Sequence, residues 1–221
     1  MATTASTPEP AAPHGLAGPY HSVPARDNAL HLGVWVFLGS ETLLFAALFA
    51  LYAGYRAGYG ADFHTAAHHN EMWIGSLNTL VLIVSSFFVA WAVHLVRTGR
   101  PRPAVWSLAA TILLGLTFLG LKTLEYTHHF AEGIKPGAAY ANEALPGPGP
   151  RMFFTLYYAM TGLHALHVIA GLIVIACMLI GVRRLRINAA RPTLLEIGGL
   201  YWHLVDIVWI FLWPLLYLLH P

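Results

Sequence analysis

Ionisable side chains lie inside stretches of this sequence that are otherwise apolar. They are Glu41, Lys122, Glu125, His164, His167, His203 and Asp206. Six of the seven form pairs spaced i, i+3, which places both members of each pair on one face of a helix. Such groups can exchange protons, form ion pairs or bind a metal. Because a charge at the centre of a membrane helix costs about 2.5–3.5 kcal/mol on insertion scales, each is a candidate for function.

The composition is typical of an integral membrane protein. The chain has 221 residues, of which 57% are hydrophobic and 10% charged, whereas soluble domains contain about 25% charged residues. The net charge of +2 and the lack of a basic run argue against nucleic-acid binding. The single cysteine, Cys177, excludes a disulfide framework and a multi-cysteine metal site, and we interpret it as a small packing residue.

Five apolar stretches are long enough to cross a bilayer, which requires about 20 residues each. They are residues 30–55, 72–96, 104–128, 152–181 and 195–219. Polar, charged or Gly/Pro-rich segments separate them. The sequence therefore predicts an all-α, polytopic membrane domain of five helices over residues 30–221, preceded by a mobile cytoplasmic tail of residues 1–29.

The distribution of Lys and Arg predicts the orientation. The tail and the second and fourth loops contain eight such residues: Arg26, Arg97, Arg100, Arg102, Arg183, Arg184, Arg186 and Arg191. The opposite side contains three, Arg56, Lys135 and Arg151. We therefore expect a cytoplasmic N-terminus and a C-terminus outside. Five tryptophans near predicted helix ends are expected to anchor the helices at the interfaces: Trp35, Trp73, Trp106, Trp202 and Trp213.

The depths of the buried groups predict which of them meet. At about 1.5 Å per residue, Glu41 and the His164/His167 pair fall at similar depths, with the His203/Asp206 pair nearby. Unpaired, each would be costly in lipid. We therefore expect Glu41 to lie within hydrogen-bonding or one-water reach of at least one of the other four. We also expect the partners of the His203/Asp206 pair to be Glu41 or the His164/His167 pair. For each histidine, hydrogen-bonded packing between helices is the more common role than metal binding.

The remaining polar residues have more ordinary interpretations. Lys122 and Glu125 are expected to form an ion pair at the outer end of the third helix, with the lysine extending to the interface; a role in transport is the alternative. Asn78, with Ser76 and Thr79, is expected to hydrogen-bond between helices. Five histidines are assigned to loops facing solvent or headgroups: His64, His68, His69, His128 and His129.

The sequence predicts no catalytic residue and no metal or haem site in this chain. Two histidines three residues apart on one helix would compete for one face instead of bracketing a porphyrin. A dinuclear copper site needs cysteine thiolates, which one cysteine does not supply. HExxH, P-loop and dinucleotide-binding motifs are all missing.

Five segments together resemble one known family, haem-copper oxidase subunit III, the third polypeptide of cytochrome c oxidase. They are "GSETLLFAALF" (Gly39–Phe49), "SLNTLVLIVSS" (Ser76–Ser86), "LKTLEYTHHF" (Leu121–Phe130), "TGLHALHVIAGL" (Thr161–Leu172) and "YWHLVDIVWIFLWPLLY" (Tyr201–Tyr217). The resemblance covers residues 30–220 and places the family's buried carboxylate at Glu41. Mitochondrial-type members have seven helices, so this chain resembles the shorter, five-helix bacterial type.

The resemblance implies a non-catalytic subunit of a respiratory terminal oxidase in the bacterial cell membrane. Such a complex reduces O₂ to water and pumps protons, and its haems and coppers lie in subunits I and II. Subunit III packs mainly on subunit I, binds phospholipid and supports proton uptake and durability during turnover. Subunit II and other respiratory subunits are further expected partners.

Three alternatives stay open. Two belong to the same superfamily: subunit III of a quinol oxidase, and the subunit-III-like protein of nitric oxide reductase. The third is a stand-alone proton-coupled carrier, against which the lack of an internal repeat argues.

Overall fold

The computed structural model describes residues 23–218, with side chains described from residue 28 onward. Within that range the chain forms six α-helices: α1 (Val23–Gly58), α2 (Gly60–Ala67), α3 (Met72–Arg97), α4 (Pro101–Ala131), α5 (Pro148–Arg183) and α6 (Thr193–Tyr217). A single 3-10 turn, Gly137–Ala139, lies in the long link between α4 and α5.

Five of these helices, α1 and α3 to α6, are long and apolar enough to cross a membrane. The predicted all-α fold with five spans is therefore confirmed. The helices extend beyond the apolar stretches at most ends; α5, for example, covers Pro148–Arg183 where 152–181 was predicted. Likewise α1 begins at Val23 instead of residue 30. Most of the predicted tail, residues 1–22, lies outside the described residues.

The link between the first two spans contains α2, a short helix that hydropathy did not predict. Its buried residues, Phe63, Ala66 and Ala67, lie on one side. The Phe63 ring packs edge-on against Tyr52 of α1, 5.3 Å away, and against Phe153 of α5, 5.4 Å away. One aromatic side chain and two small residues are thus enough to fix α2 across the end of the bundle.

The four helices α3 to α6 form a closed bundle, in which α3 packs on α4 and α6, and α5 packs on α4 and α6. Small residues allow the close contacts that membrane helices need. A Cβ atom at Gly171 of α5 would lie 2.8 Å from the ring of Trp202 of α6. At Gly115 of α4 it would lie 2.7 Å from Leu172 and 3.0 Å from the same ring.

A tight turn of three residues ends α3 and leads directly into α4. After α3, Gly99 adopts a φ of +73°. The Gly99 N–H then donates to the Val96 carbonyl at 3.0 Å and the Arg100 N–H to the Leu95 carbonyl at 2.8 Å. This is the Schellman arrangement, which satisfies carbonyls at the end of a helix. Pro101 follows and begins α4, so three residues suffice to reverse the chain.

Helix α1 packs on α5 and α6 outside this bundle. Its buried side chains form a narrow stripe at heptad spacing, Leu38, Phe45 and Tyr52, and the Tyr52 hydroxyl donates to the Leu215 carbonyl of α6 at 2.8 Å. The rest of α1 faces outward; Leu43, for instance, is 72% exposed. This helix therefore presents most of its circumference to lipid or to a partner.

Two expectations about individual residues were wrong. Trp202 is not an interfacial anchor: it is 1% exposed, and its Nε1 donates to the Ser85 hydroxyl at 3.1 Å. Cys177 is not a packing residue, since it is exposed on α5. Trp35, Trp73 and Trp106 are exposed, as interfacial anchors must be.

Candidate functional site

The structure brings together Glu41 of α1 and His167 of α5. Their Oε2 and Nε2 atoms are 2.8 Å apart, in a mostly buried position. The other ring nitrogen of His167, Nδ1, lies 2.8 Å from the Leu163 carbonyl. Because a carbonyl oxygen only accepts hydrogen bonds, Nδ1 must bear a proton.

With Nδ1 protonated, the hydrogen bond between Glu41 and His167 allows two protonation states of the pair. If the imidazole is neutral, Nε2 is an acceptor and Glu41 must be the protonated donor. If the imidazole is charged, Nε2 donates to an ionised Glu41. In both states one proton lies between the two groups and the pair has no net charge, which is the inexpensive arrangement inside a membrane.

Side chains from neighbouring elements hold His167 in place. The Tyr201 hydroxyl of α6 donates to the His167 carbonyl at 3.2 Å. The Phe45 ring of α1 contacts the imidazole with a centroid separation of 5.2 Å. The pair therefore lies where α1, α5 and α6 meet.

His203 and Asp206 face α3 and not α1, so the expectation that their partners are Glu41 or the α5 histidines was wrong. The Ser86 hydroxyl lies 2.5 Å from His203 Nδ1 and near the Asp206 side chain. Asp206 Oδ1 is buried and has no hydrogen-bond partner among the described residues. Ser86 was missed by the sequence analysis as a partner of these groups.

His164 points into the bundle, although it lies only three residues from His167. Three residues of α-helix place two side chains about 60° apart around the axis, enough to direct one inward and one toward α1. The His164 ring packs against Phe118 at 5.5 Å and Trp209 at 5.1 Å. Neither of its nitrogens has a hydrogen-bond partner among the described residues.

Lys122 and Glu125 form the expected ion pair, with 2.9 Å between Nζ and Oε2. The expectation that the lysine reaches the interface was wrong, because Lys122 is 3% and Glu125 1% exposed. Two tyrosines that the sequence analysis missed complete the cluster. Lys122 Nζ lies 2.8 Å from the hydroxyls of Tyr157 and Tyr217, and these donate to Glu125 Oε1 at 2.8 and 2.6 Å.

This four-residue cluster satisfies its own hydrogen-bonding groups. An ammonium has three donors, and the three acceptors here are one carboxylate oxygen and two hydroxyls. Each tyrosine accepts from the lysine and donates to the glutamate. The cluster thereby joins α4, α5 and α6 at one end of the bundle.

The histidines assigned to loops divide into two groups. His129 lies on the last turn of α4 and is buried, with its ring 5.5 Å from both Phe154 and Tyr157, so its assignment to solvent was wrong. His69 and His128 are exposed and lie near Glu132 and Glu71, at 3.6 and 3.4 Å.

The polar residues of α3 differ from one another. Trp209 Nε1 of α6 donates to Thr79 Oγ1 at 3.0 Å, a bond between helices. Ser76 instead donates to the Met72 carbonyl of its own helix at 2.7 Å. Asn78 is buried, and its amide has no hydrogen-bond partner among the described residues.

An apolar groove lies beside the Glu41–His167 pair, where α1 meets α5 and α6. We call it the α1 groove. Its volume is about 570 Å³, and its lining includes Val34, Leu38, Cys177, Met178, Ile197 and Tyr201. Tyr201 belongs both to the groove and to the support of His167, so the two features are continuous.

Side chains of the types that bind metals do not cluster among the described residues. Within residues 28–218, no group of three or more His, Cys, Asp or Glu could hold a metal ion. His164 is enclosed by aromatic rings, and both nitrogens of His167 are engaged. The two α5 histidines therefore differ in their surroundings, and neither belongs to a group of metal ligands among the described residues.

The chain matches a known protein family over most of its length. The family model described as cytochrome c oxidase subunit III matches residues 15–220. The chain belongs to the cytochrome c oxidase subunit III family.

The relatives of this subunit III chain come from more than one type of oxidase. It is 32% identical over 188 residues to cytochrome c oxidase subunit 3 of Alkalihalophilus pseudofirmus, covering 85% of each chain. It is 28% identical over 190 residues to the probable quinol oxidase subunit 3 of Staphylococcus epidermidis, covering 85% of this chain and 88% of that one. Their shared property is to be subunit III of a terminal oxidase. The chain is thus a multi-pass membrane subunit of an oxidoreductase complex.

Proposed function

We propose that this chain is a non-catalytic subunit III of a respiratory terminal oxidase in the bacterial cell membrane. It packs on catalytic subunit I, holds phospholipid and supports proton uptake during O₂ reduction. The observation that carries the proposal is the Glu41–His167 pair at 2.8 Å, which lies beside the outward-facing surface of α1.

The pair suits proton uptake because it can change its internal proton position without creating an isolated charge. Glu41 lies near the middle of the 36-residue helix α1, and neither member of the pair is fully enclosed. A group on a subunit packed over α1 could therefore exchange a proton with it. The chain itself needs no redox centre for this task.

The α1 groove suits a lipid acyl chain. Its lining is almost wholly apolar, and its volume of about 570 Å³ falls within the usual range for small-ligand pockets, about 300–1,000 Å³. A chain bound there would cover the exposed Cys177 and fill the space beside Tyr201. It would also exclude water from one side of the Glu41–His167 pair.

Glu41→Gln tests the proton role, because it retains the shape of the side chain and removes its charge. We expect a near-normal initial rate of O₂ consumption, followed by inactivation during turnover that is faster at high pH, where protons are scarce. Removal of the whole chain should give a stronger form of the same behaviour. The measurement is oxygen consumption by the purified complex over many turnovers at several pH values.

The matched control is Glu196→Gln, which removes a carboxylate that pairs at the surface with Arg97. It should leave the turnover lifetime unchanged. The proposal is wrong if Glu41→Gln has the wild-type lifetime at every pH, or if removing the chain at once abolishes the haem signal.

A quinol-oxidising complex is the second candidate, favoured by the relatives named probable quinol oxidase subunit 3. Activity of the purified complex with reduced cytochrome c and with a quinol distinguishes the two. A stand-alone carrier would instead purify without any haem-bearing partner.

A further inference from the structure

A second groove lies between α4 and α5, and it shares only α5 with the α1 groove. Its volume is about 690 Å³, and its lining includes Pro101, Arg102, Val105, Trp106, Leu179 and Arg183. Arg102 is the second residue of α4 and Arg183 the last residue of α5. Because the two helices are antiparallel, both arginines lie at the same end of this α4–α5 groove.

The groove combines an apolar wall with a cationic mouth. Val105, Trp106, Ala109, Leu179 and Val182 line the wall, and no carboxylate is part of the lining. The same surface therefore offers apolar contact along the helices and positive charge at their ends.

The two arginines have no ion-pair partner among residues 28–218. Arg97, at the same end of the bundle, differs: its Nη2 lies 2.8 Å from Glu196 Oε1. Guanidinium groups form bidentate hydrogen bonds with phosphate oxygens. Arg102 and Arg183 thus have unused donors at the mouth of the groove.

The position of the groove matches a lipid headgroup. Trp106 is 77% exposed, as expected of a side chain at the level of the headgroups. The Lys and Arg asymmetry predicts that this end of the bundle is cytoplasmic. Anionic lipids are present in that leaflet, and basic residues near the surface attract them.

We propose that the α4–α5 groove binds an anionic glycerophospholipid, with its phosphate at Arg102 and Arg183 and an acyl chain along Val105 and Leu179. The α1 groove has no charged lining residue, so it would accept acyl chains without selecting a headgroup. The chain therefore contains one lipid site that is selective for charge and one that is not.

The test uses the intact complex purified through a tag on this chain, or the chain alone if it purifies alone. After delipidation, the thermal stabilisation given by phosphatidylglycerol is compared with that given by phosphatidylcholine, and retained lipids are quantified by mass spectrometry. We expect preferential stabilisation by phosphatidylglycerol. At about five-fold for each arginine, Arg102→Gln with Arg183→Gln should weaken its binding about 25-fold.

The control variant, Arg186→Gln with Arg191→Gln, removes the same charge at the same end outside the groove, and it should retain the preference. A second test variant, Ala109→Trp, fills the apolar wall and should expel the lipid with both arginines intact. Equal stabilisation by the two lipids, or the same loss in the control, would overturn the proposal. So would crosslinking from Ala109→Cys to a protein chain instead of a lipid.

Discussion

The buried cluster of Lys122, Glu125, Tyr157 and Tyr217 shows how one cation is kept inside a membrane bundle. Its ammonium has a carboxylate and two hydroxyls at 2.8–2.9 Å, and aromatic rings surround it, including that of Trp209 at 5.3 Å. A buried ion pair offers little net stability over a well-packed apolar pair, but removing one partner alone is strongly destabilising. The hydrogen bonds of this cluster fix the positions of α4, α5 and α6 relative to one another.

Lys122→Met should therefore lower the free energy of unfolding by about 3–5 kcal/mol, because it leaves the Glu125 carboxylate buried without its cation. The matched control is Arg97→Gln, which breaks the ion pair with Glu196 where the arginine is 60% exposed; its cost should be about 0–1 kcal/mol. Thermal unfolding of the purified protein measures both. Equal effects of the two variants would show that the buried lysine has no special structural role.

Individual contacts were predictable only where depth along the helix decides them. Matching depths predicted that Glu41 meets at least one of four residues on α5 and α6, and in the structure it meets His167. The same reasoning applied to tyrosines could have suggested Tyr157 and Tyr217 for Lys122. The rotation of each helix about its axis could not be read from one sequence, and for this reason the His203/Asp206 pair was assigned to the wrong neighbours.

At the scale of helices, α5 is positioned by a close contact with α6 at Gly171. A Cβ atom there would lie 2.8–2.9 Å from the Trp202 ring. Gly162 lies on the same helix, yet nothing is within 4 Å of a Cβ atom at that position. The two glycines therefore differ in packing while sharing a helical environment.

Gly171→Ala should destabilise the protein by about 1–3 kcal/mol, because a rigid indole must shift to admit the methyl group. Gly162→Ala should be neutral or slightly stabilising, since alanine is the better helix former. Thermal unfolding compares the two variants directly. If the Gly171→Ala protein is as stable as the Gly162→Ala protein, the contact between α5 and the Trp202 ring does not limit stability.

Hydropathy predicted the five membrane-spanning helices but not where they end. An apolar stretch must be helical in lipid, because every backbone hydrogen bond has to be made internally, so all five spans were found. The last turn of α4 continues through polar residues to Ala131, which is why His129 was wrongly assigned to a loop. Helix α2 was missed because its single aromatic residue, Phe63, gives no periodic pattern.

For the whole molecule, the Lys and Arg asymmetry predicts a cytoplasmic N-terminus. In a Cys177→Ala background, Arg100→Cys and Arg186→Cys should react with a membrane-impermeant thiol reagent only from the cytoplasmic side. Glu143→Cys, in the α4–α5 link, should react only from outside. If an impermeant reagent labels Arg186→Cys from outside intact cells, the predicted orientation is wrong.

The isolated chain should bind neither haem nor copper. Of the two α5 imidazoles, that of His164 is enclosed by rings and that of His167 is engaged in hydrogen bonds, and one cysteine does not make a copper site. The purified, partner-free chain should show no Soret absorbance and no stoichiometric copper by elemental analysis. Either signal would require a site that the described residues do not form.

The limited contact between α1 and the other helices has a consequence for the relative amounts of the subunits in the cell. Among the described residues, the buried side chains of this helix are the stripe of Leu38, Phe45 and Tyr52, beside which lies the Glu41–His167 bond. In a chain without its partner, α1 could detach and leave Glu41 facing lipid, a state that membrane proteases can recognise. With subunit I packed over α1 as proposed, that state would no longer be accessible in the complex. The abundance of this chain would then follow that of its partner through degradation of the excess, with no need for matched synthesis.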